Sequence, residues 1–160
     1  MQITISPAGF SDWPQLLALL RESFAYMDSR IDPPSSLTRM GIDELKAKAA
    51  EETLIVATEG QNLVGCAFAA VQEECVYVGK IAVAQSARGK GVARAMLAAA
   101  EVLAHGHGRR FLELQTRIEL VENHATFAAL GFEKVAETAH AGYYRPTSIT
   151  MRKRVAESAA

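Results

Sequence analysis

The sequence predicts an α/β domain: a mixed, mostly antiparallel central sheet flanked by about four helices. Three observations predict it. The apolar runs Thr53–Thr58, Leu63–Val71 and Cys75–Val83 are joined by connections so short that neighbours must run antiparallel. A helical segment, Gly91–Ala104, separates the third run from the next one, Phe111–Gln115, and a helical crossover joins parallel strands in a right-handed sense. The chain has 160 residues, 49% hydrophobic and 22% charged. That suits a single domain over 1–160, which buries about two-thirds of its unfolded surface and needs no staples.

The elements follow in order. Gln2–Ser6 alternates and reads as a short strand. Ser11 or Asp12 caps a helix with Leu16, Leu17, Leu20 and Phe24 on one face. The stretch Asp28–Ser36 ends it, because no helix continues through Asp32-Pro33-Pro34. A second helix spans roughly Ile42–Glu51. Glu59-Gly60-Gln61-Asn62 and Gln72-Glu73-Glu74 link the three meander strands. Gly91–Ala104 sets Val92, Met96, Ala99, Ala100 and Leu103 on one face, and His105-Gly106-His107-Gly108 punctuates its end. Glu122–Leu130 is a helix stopped at Gly131; Lys134–Glu137 and Ser148–Arg152 are the last two strands.

Charge and cysteine usage exclude several classes. Seventeen basic residues against eighteen acidic ones give a formal net charge of −1, without the basic footprint of a nucleic-acid binder. The longest mostly apolar run, Ala93–Ala104, is interrupted by Arg94 and Glu101 and is too short to span a bilayer. The opening Met-Gln-Ile-Thr-Ile has neither a basic nor an apolar leader region. A cytoplasmic protein with no nucleic-acid or membrane partner is therefore expected, as monomer or homodimer. Cys66 and Cys75 are too few for a disulfide scaffold or a tetrahedral zinc site, and read as buried thiols. His105 and His107 have no third ligand near them in sequence, so no metal site is expected.

The chemistry concentrates in Ile81-Ala82-Val83-Ala84-Gln85-Ser86-Ala87-Arg88-Gly89-Lys90-Gly91-Val92-Ala93-Arg94. A strand runs into a two-glycine loop, and the loop becomes a helix. Backbone N–H groups then converge at the positive end of the helix, with Arg88, Lys90 and Arg94 around them. The expectation is a phosphate or pyrophosphate site. A P-loop fails, because Ala84 and Gly91 stand where it needs Gly and Ser or Thr. The dinucleotide fingerprint comes nearer, since Glu113 lies at the ribose-binding distance. Arg94, however, replaces the third glycine, and an antiparallel meander precedes the loop. A nucleotide-binding oxidoreductase is thus the lesser enzyme alternative.

Arg88-Gly89-Lys90-Gly91-Val92-Ala93 resembles the acetyl-coenzyme A signature of the GNAT acyltransferase superfamily, Gln/Arg-x-x-Gly-x-Gly/Ala. The upstream strand ending Ile81-Ala82-Val83 supports the resemblance. So does Asn123-His124-Ala125-Thr126-Phe127-Ala128-Ala129-Leu130-Gly131-Phe132, which looks like the family's last helix and its Gly-Phe ending. The order of elements agrees over nearly the whole chain. The resemblance implies an N-acetyltransferase that moves an acetyl group from acetyl-coenzyme A directly to the amine of a small molecule or peptide. It implies the coenzyme's pyrophosphate on the N–H groups of Gly89–Ala93. It implies a parallel strand pair splayed after Val83, with the pantetheine arm bonded to the backbone of Ile81 and Val83.

Such a reaction needs a route for the amine's proton, since an alkyl ammonium has a pKa of about 10. It also needs donors for the oxyanion and a proton for the thiolate. The family often places a Tyr acid where this chain has Phe127, which has no proton to give. A non-catalytic acyl-coenzyme A sensor is therefore the alternative from another class. Asn123 either contacts the coenzyme or caps the last helix. Tyr143 and Tyr144, in the loop before the last strand, are the candidates for the missing phenol, with solvent as the third possibility. Glu113 leads the candidate bases, ahead of Glu73, Glu74, Tyr77 and His124. In the family the connection between the first two helices walls the acceptor site. Phe24, Tyr26, Asp28, Arg30 and Asp32 fall there, and Asp28 and Asp32 lead one to expect a negative wall for a cationic amine.

Overall fold

A computed structural model of the chain describes residues 1–25, 27–35 and 39–156. Its seven-stranded sheet contains β1 (Gln2–Ile5), β2 (Thr53–Glu59), β3 (Asn62–Val71), β4 (Cys75–Val83), β5 (Phe111–Arg117), β6 (Glu133–Thr138) and β7 (Ser148–Arg154). The spatial order is β1-β2-β3-β4-β5-β7-β6. Every neighbouring pair is antiparallel except β4 and β5, which run parallel as the α-helical crossover between them requires. The helices among the described residues are α1 (Trp13–Ala25), α2 (Ile42–Glu51), α3 (Val92–Gly106) and α4 (Val121–Ala129). The expected elements are all present. The main differences are that β5 runs on to Arg117 and β7 to Arg154. Full pairing of β5 with β7, from Phe111 opposite Arg154 to Arg117 opposite Ser148, carries both strands through charged ends that propensity alone would cut short.

Two apolar layers cover the sheet. On one face α3 packs Val92, Met96, Leu97, Ala100 and Ala104 against Ile55, Ala57, Val64, Ala67, Val76 and Val78. On the other, Leu16, Leu17, Leu20 and Leu45 of α1 and α2 pack against Leu54, Val56, Cys66, Phe68 and Ala82. Both cysteines are buried and reduced, as expected. Gly65 sets the distance between α3 and the sheet: a β-carbon there would come to 2.7 Å from Val92 Cγ1 and 3.1 Å from Met96 Sδ. Gly65→Ala should therefore overpack this interface and cost about 1–3 kcal/mol in denaturant unfolding. An unchanged unfolding midpoint would show that α3 shifts freely.

Two irregularities of β4 build the site. Phe68 pairs with Gly79 and Cys66 with Ala82, so Lys80 and Ile81 together stand opposite Ala67. Lys80 takes φ +49°, a left-handed bulge conformation. One extra residue inverts the alternation of faces. Val76 and Val78 face the α3 layer before the bulge, Ile81 and Val83 after it, while Ala82 turns to α1. The second irregularity is the short parallel pairing. β4 and β5 are paired only from Cys75–Tyr77 to Phe111–Glu113. Beyond that β5 stays with β7 while β4 stays with β3, and the two parallel strands diverge.

Candidate active site

The wedge between the diverging strands continues into the N-terminus of α3. A turn at Gln85–Ala87 leads to Gly89 and Gly91, with φ +77° and +81°. A β-carbon at either would meet no atom within 4 Å, so packing does not require glycine here; the left-handed backbone does. Gly91 is the N-cap of α3, and the first intrahelical bond is Ala95 N–H to Gly91 O at 3.0 Å. The N–H groups of Val92, Ala93 and Arg94 therefore have no partner within the helix and emerge at its positive end. They open on a cavity of about 530 Å³ lined by Arg88, Gly89, Gly91, Val92, Ala93 and Arg94 on one side and by Ile81, Val83, Asn123 and Phe127 on the other. Lys90 is exposed on the loop and does not line it.

Val83 and Ile81 present the open edge of β4. Ala84 N–H bonds Val64 O at 2.8 Å, which makes Gly65 and Val83 a non-hydrogen-bonded pair. The Val83 N–H and C=O consequently face the wedge rather than β3, and Ile81, two residues earlier, lies on the same edge. The Ser23 hydroxyl of α1 donates to Val83 O at 3.2 Å across the mouth. Phe127 packs edge-on against Phe132, with ring centroids 6.0 Å apart, and serves as an apolar wall.

A second cavity, of about 250 Å³, adjoins the first and shares Phe24, Met27, Ile81, Asn123 and Phe127 with it. It is lined further by Ile31, Tyr77, Lys80, Gln115, Arg117, Leu120, His140 and Ser148. Its outer wall is the segment after α1. The residues of this segment that turn inward are Met27 and Ile31, which cluster with Leu120 and Phe24. The charged ones brace it from outside. Arg30 pairs with both oxygens of Glu122, with Nη2 at 3.0 Å from Oε2. Asp32 accepts the Tyr143 hydroxyl at 2.5 Å and Arg145 Nη2 at 3.1 Å, while its N–H donates to Glu119 Oε2 at 3.1 Å. Arg117 donates to Pro33 O at 2.6 Å and Pro34 O at 3.3 Å. Asp28 is exposed and does not line the cavity, and Tyr26 lies outside the described residues.

The Arg30 brace has an acid signature. Hydrogen bonding from Arg30 holds the Glu122 carboxyl down at about 2, from 4.5. A depressed carboxyl stabilises the fold above its unfolded pKa, and that contribution is lost as pH falls through the folded one. Between about pH 5 and pH 2, Arg30→Gln should therefore show a shallower fall of Tm than the parent. Parallel Tm–pH curves would remove this pair from the acid dependence.

The remaining candidates lie in distinct places. Glu113 sits at the paired end of the wedge, 2.8 Å from Arg152 Nε, and Glu74 approaches the same arginine. His124 Nε2 meets Arg117 O at 2.9 Å. Glu73 is exposed, Tyr144 stands fully in solvent, and Tyr143 is engaged at the rim by Asp32, which raises its pKa. Among the phenols of the described residues, Tyr77 alone lines either cavity. Its ring lies over Gly79, and its hydroxyl interacts with the Gln115 backbone N–H on the facing strand. Burial, then Glu113, raises its pKa, so it remains a phenol at neutral pH. Sequence reasoning did not single out Arg117, Gln115 or His140, whose approach to the wedge depends on how β5, β6 and β7 pair.

The model of the acetyltransferase (GNAT) family matches residues 13–132. Comparison with curated proteins gives no match. Solved structures share the fold. An aminoglycoside 6'-N-acetyltransferase complexed with coenzyme A superposes with a TM-score of 0.77 at 16% identity, covering 100% of both chains. The PaiA N-acetyltransferase of Thermoplasma acidophilum, also with coenzyme A, gives 0.79 at 14% identity over 96% of this chain and 99% of its own. The ribosomal-protein-S18-alanine N-acetyltransferase of Escherichia coli gives 0.69 at 19% identity over 98% and 96%.

Proposed function

The chain belongs to the acetyltransferase (GNAT) family, and on that premise we propose that it transfers the acetyl group of acetyl-coenzyme A directly to a primary amine. One observation carries the reading. The divergence of β4 and β5 opens straight onto the glycine-bearing N-terminus of α3, so an unpaired strand edge and an anion cradle share one cavity. The residues fit the coenzyme. The N–H groups of Val92, Ala93 and Arg94, with Arg88 and Arg94 nearby, suit a pyrophosphate. The edge of Ile81 and Val83 suits the amides of a pantetheine arm, which would add to β4 as a strand does. Acetyl-coenzyme A supplies an activated thioester.

The protein's tasks follow from the chemistry. The amine nitrogen bonds to the acetyl carbon, the carbon–sulfur bond breaks, the amine sheds a proton, and the thiolate gains one. Backbone N–H groups on the β4 edge suit the transient oxyanion. Tyr77 is the phenol we assign to the thiolate, because it lines the acceptor cavity and holds its proton. Among the described residues, no aspartate or glutamate lines that cavity; His140, held at Nδ1 by Thr147 Oγ1, is the imidazole that does. A water relay from the amine to bulk suits an open mouth. Calorimetry with acetyl-coenzyme A, and thiol release over a panel of amines, test the reading. Binding of the coenzyme but not of nicotinamide dinucleotides, with thiol release for at least one amine, is expected. Absence of coenzyme binding would overturn it; binding with no release for any amine would favour the sensor suggested by Phe127.

A further inference from the structure

Resting on the acyl-transfer reading, we infer that the acceptor is a small amine that itself carries a carboxylate, held through Arg117. The charge of the second cavity points to it. The lining includes Lys80 and Arg117 and, among the described residues, no aspartate or glutamate. Two carboxylates near its rim are held by other side chains, and Glu119 keeps a buried Oε1 without a partner among the described residues. Asp32 is held by Tyr143 and Arg145, and Glu122 by Arg30. Glu119 accepts the Asp32 N–H through Oε2; it is the acidic group whose field acts most on Arg117, yet it is not ion-paired with it. The negative wall that Asp28 and Asp32 suggest in the sequence is thus absent from the lining.

Arg117 points the same way. It stands at the last position of β5, where the strand leaves the wedge. Two of its donors go to the carbonyls of Pro33 and Pro34, which are neutral partners. A guanidinium has five N–H donors in a planar fork, so further donors remain for an anion, and a carboxylate matches the fork. Glu119 and Asp32 act on the guanidinium through space without forming an ion pair with it, so its remaining donors hold no carboxylate. An anionic ligand group would take up those donors, whereas a polycationic acceptor would bring like charge against the guanidinium. His140 adds no charge at neutral pH, since burial and Arg117 lower its pKa. Asn123, Gln115 and Ser148 offer uncharged hydrogen-bonding groups for the rest of the molecule.

Size narrows the class. About 250 Å³ of space holds a molecule of amino-acid dimensions, below the ~300–1,000 Å³ range of drug-sized ligand pockets. The acceptor class is therefore an amino acid or a comparable amino-carboxylate.

Binding and turnover are measured separately. In the presence of coenzyme A, calorimetry compares N-acetyl-L-leucine with N-acetyl-L-leucinamide. In parallel, thiol release from acetyl-coenzyme A compares L-leucine, L-leucinamide, 3-methylbutylamine and spermidine. The acid should bind at least tenfold more tightly than the amide, and L-leucine should exceed the three other amines in kcat/KM by at least tenfold. Arg117→Gln should erase both preferences. Arg117→Lys, which keeps the charge and still reaches toward the Pro33 carbonyl, should retain part of them. Equal or weaker binding of the acid, a better rate with spermidine, or a preference that survives in Arg117→Gln would overturn the inference. The comparison on the parent protein stands even if the Gln variant loosens the wall. Should no amine release thiol while the acid-over-amide preference persists, the acyl-transfer reading fails and the anion site remains. Thiol release without the preference leaves acyl transfer standing and removes the anion site.

Discussion

Gly91→Glu lowers the affinity for acetyl-coenzyme A by at least about a hundredfold in calorimetry, because the substitution acts on the cradle in two ways. The backbone at Gly91 is left-handed, φ +81°, and a β-carbon there costs about 1–2 kcal/mol. The larger effect is charge. A carboxylate about 6 Å from a phosphate, at an effective dielectric near 20, is repelled by about 3 kcal/mol, which is about a hundredfold in affinity. Gly91→Ala separates the two, since it carries the strain and no charge. It should bind within about tenfold of the parent, the part of the loss set by strain alone. A β-carbon at Gly91 meets no atom within 4 Å, so neither substitution begins with a clash against the helix. If the Glu variant keeps the parent affinity, the coenzyme's phosphates do not sit at the N-terminus of α3.

Tyr77→Phe lowers kcat at least about tenfold and leaves coenzyme affinity unchanged, while Tyr143→Phe leaves kcat intact. Positioned proton transfer is worth about 10²–10⁴-fold. The lower end applies here, because a thiol's pKa of about 8.5 makes its thiolate a ready leaving group. The substitution removes one hydroxyl and keeps the ring packed over Gly79. The Tyr143 hydroxyl, by contrast, is donated to Asp32 at the rim, so its loss should raise the acceptor KM by loosening the wall. Steady-state kinetics of the two variants decide the matter. A loss of kcat in Tyr143→Phe with none in Tyr77→Phe would return the acid to the β6–β7 loop, and full activity in both would assign protonation to solvent.

The two predictions differ in how visible their residues are in the chain. Gly89, Gly91 and the strand before them are contiguous, and the cradle they form is local: two left-handed residues followed by the first turn of a helix. Spacing within a dozen residues suffices to recognise it. Phe24, Asn123 and Phe127 could be placed near the site only through the family pattern, and all of them line the cavities. Asp32 shows the limit. In sequence it is an acidic residue in a proline-rich connection. In the fold it is the anchor of Tyr143 and Arg145, residues more than a hundred positions away, and its charge is used to hold the wall.

Residue order alone was sufficient for the succession of elements, the antiparallel meander, the single parallel step and the glycine-bearing entry to α3, because each is set by local dihedral preference, short connections or periodicity. Three features depended on the assembled sheet. The bulge at Lys80 inverts the faces of Ile81 and Val83, which follows from register with β3. The divergence of β4 and β5 follows from each strand's stronger pairing with its other neighbour. The sign of charge lining the second cavity follows from which side chains meet across it, with Asp32 drawn to the rim and Arg117 in the lining. Pairwise electrostatics acts through space over a few ångströms, and the distances that decide it exist only once distant segments have packed together.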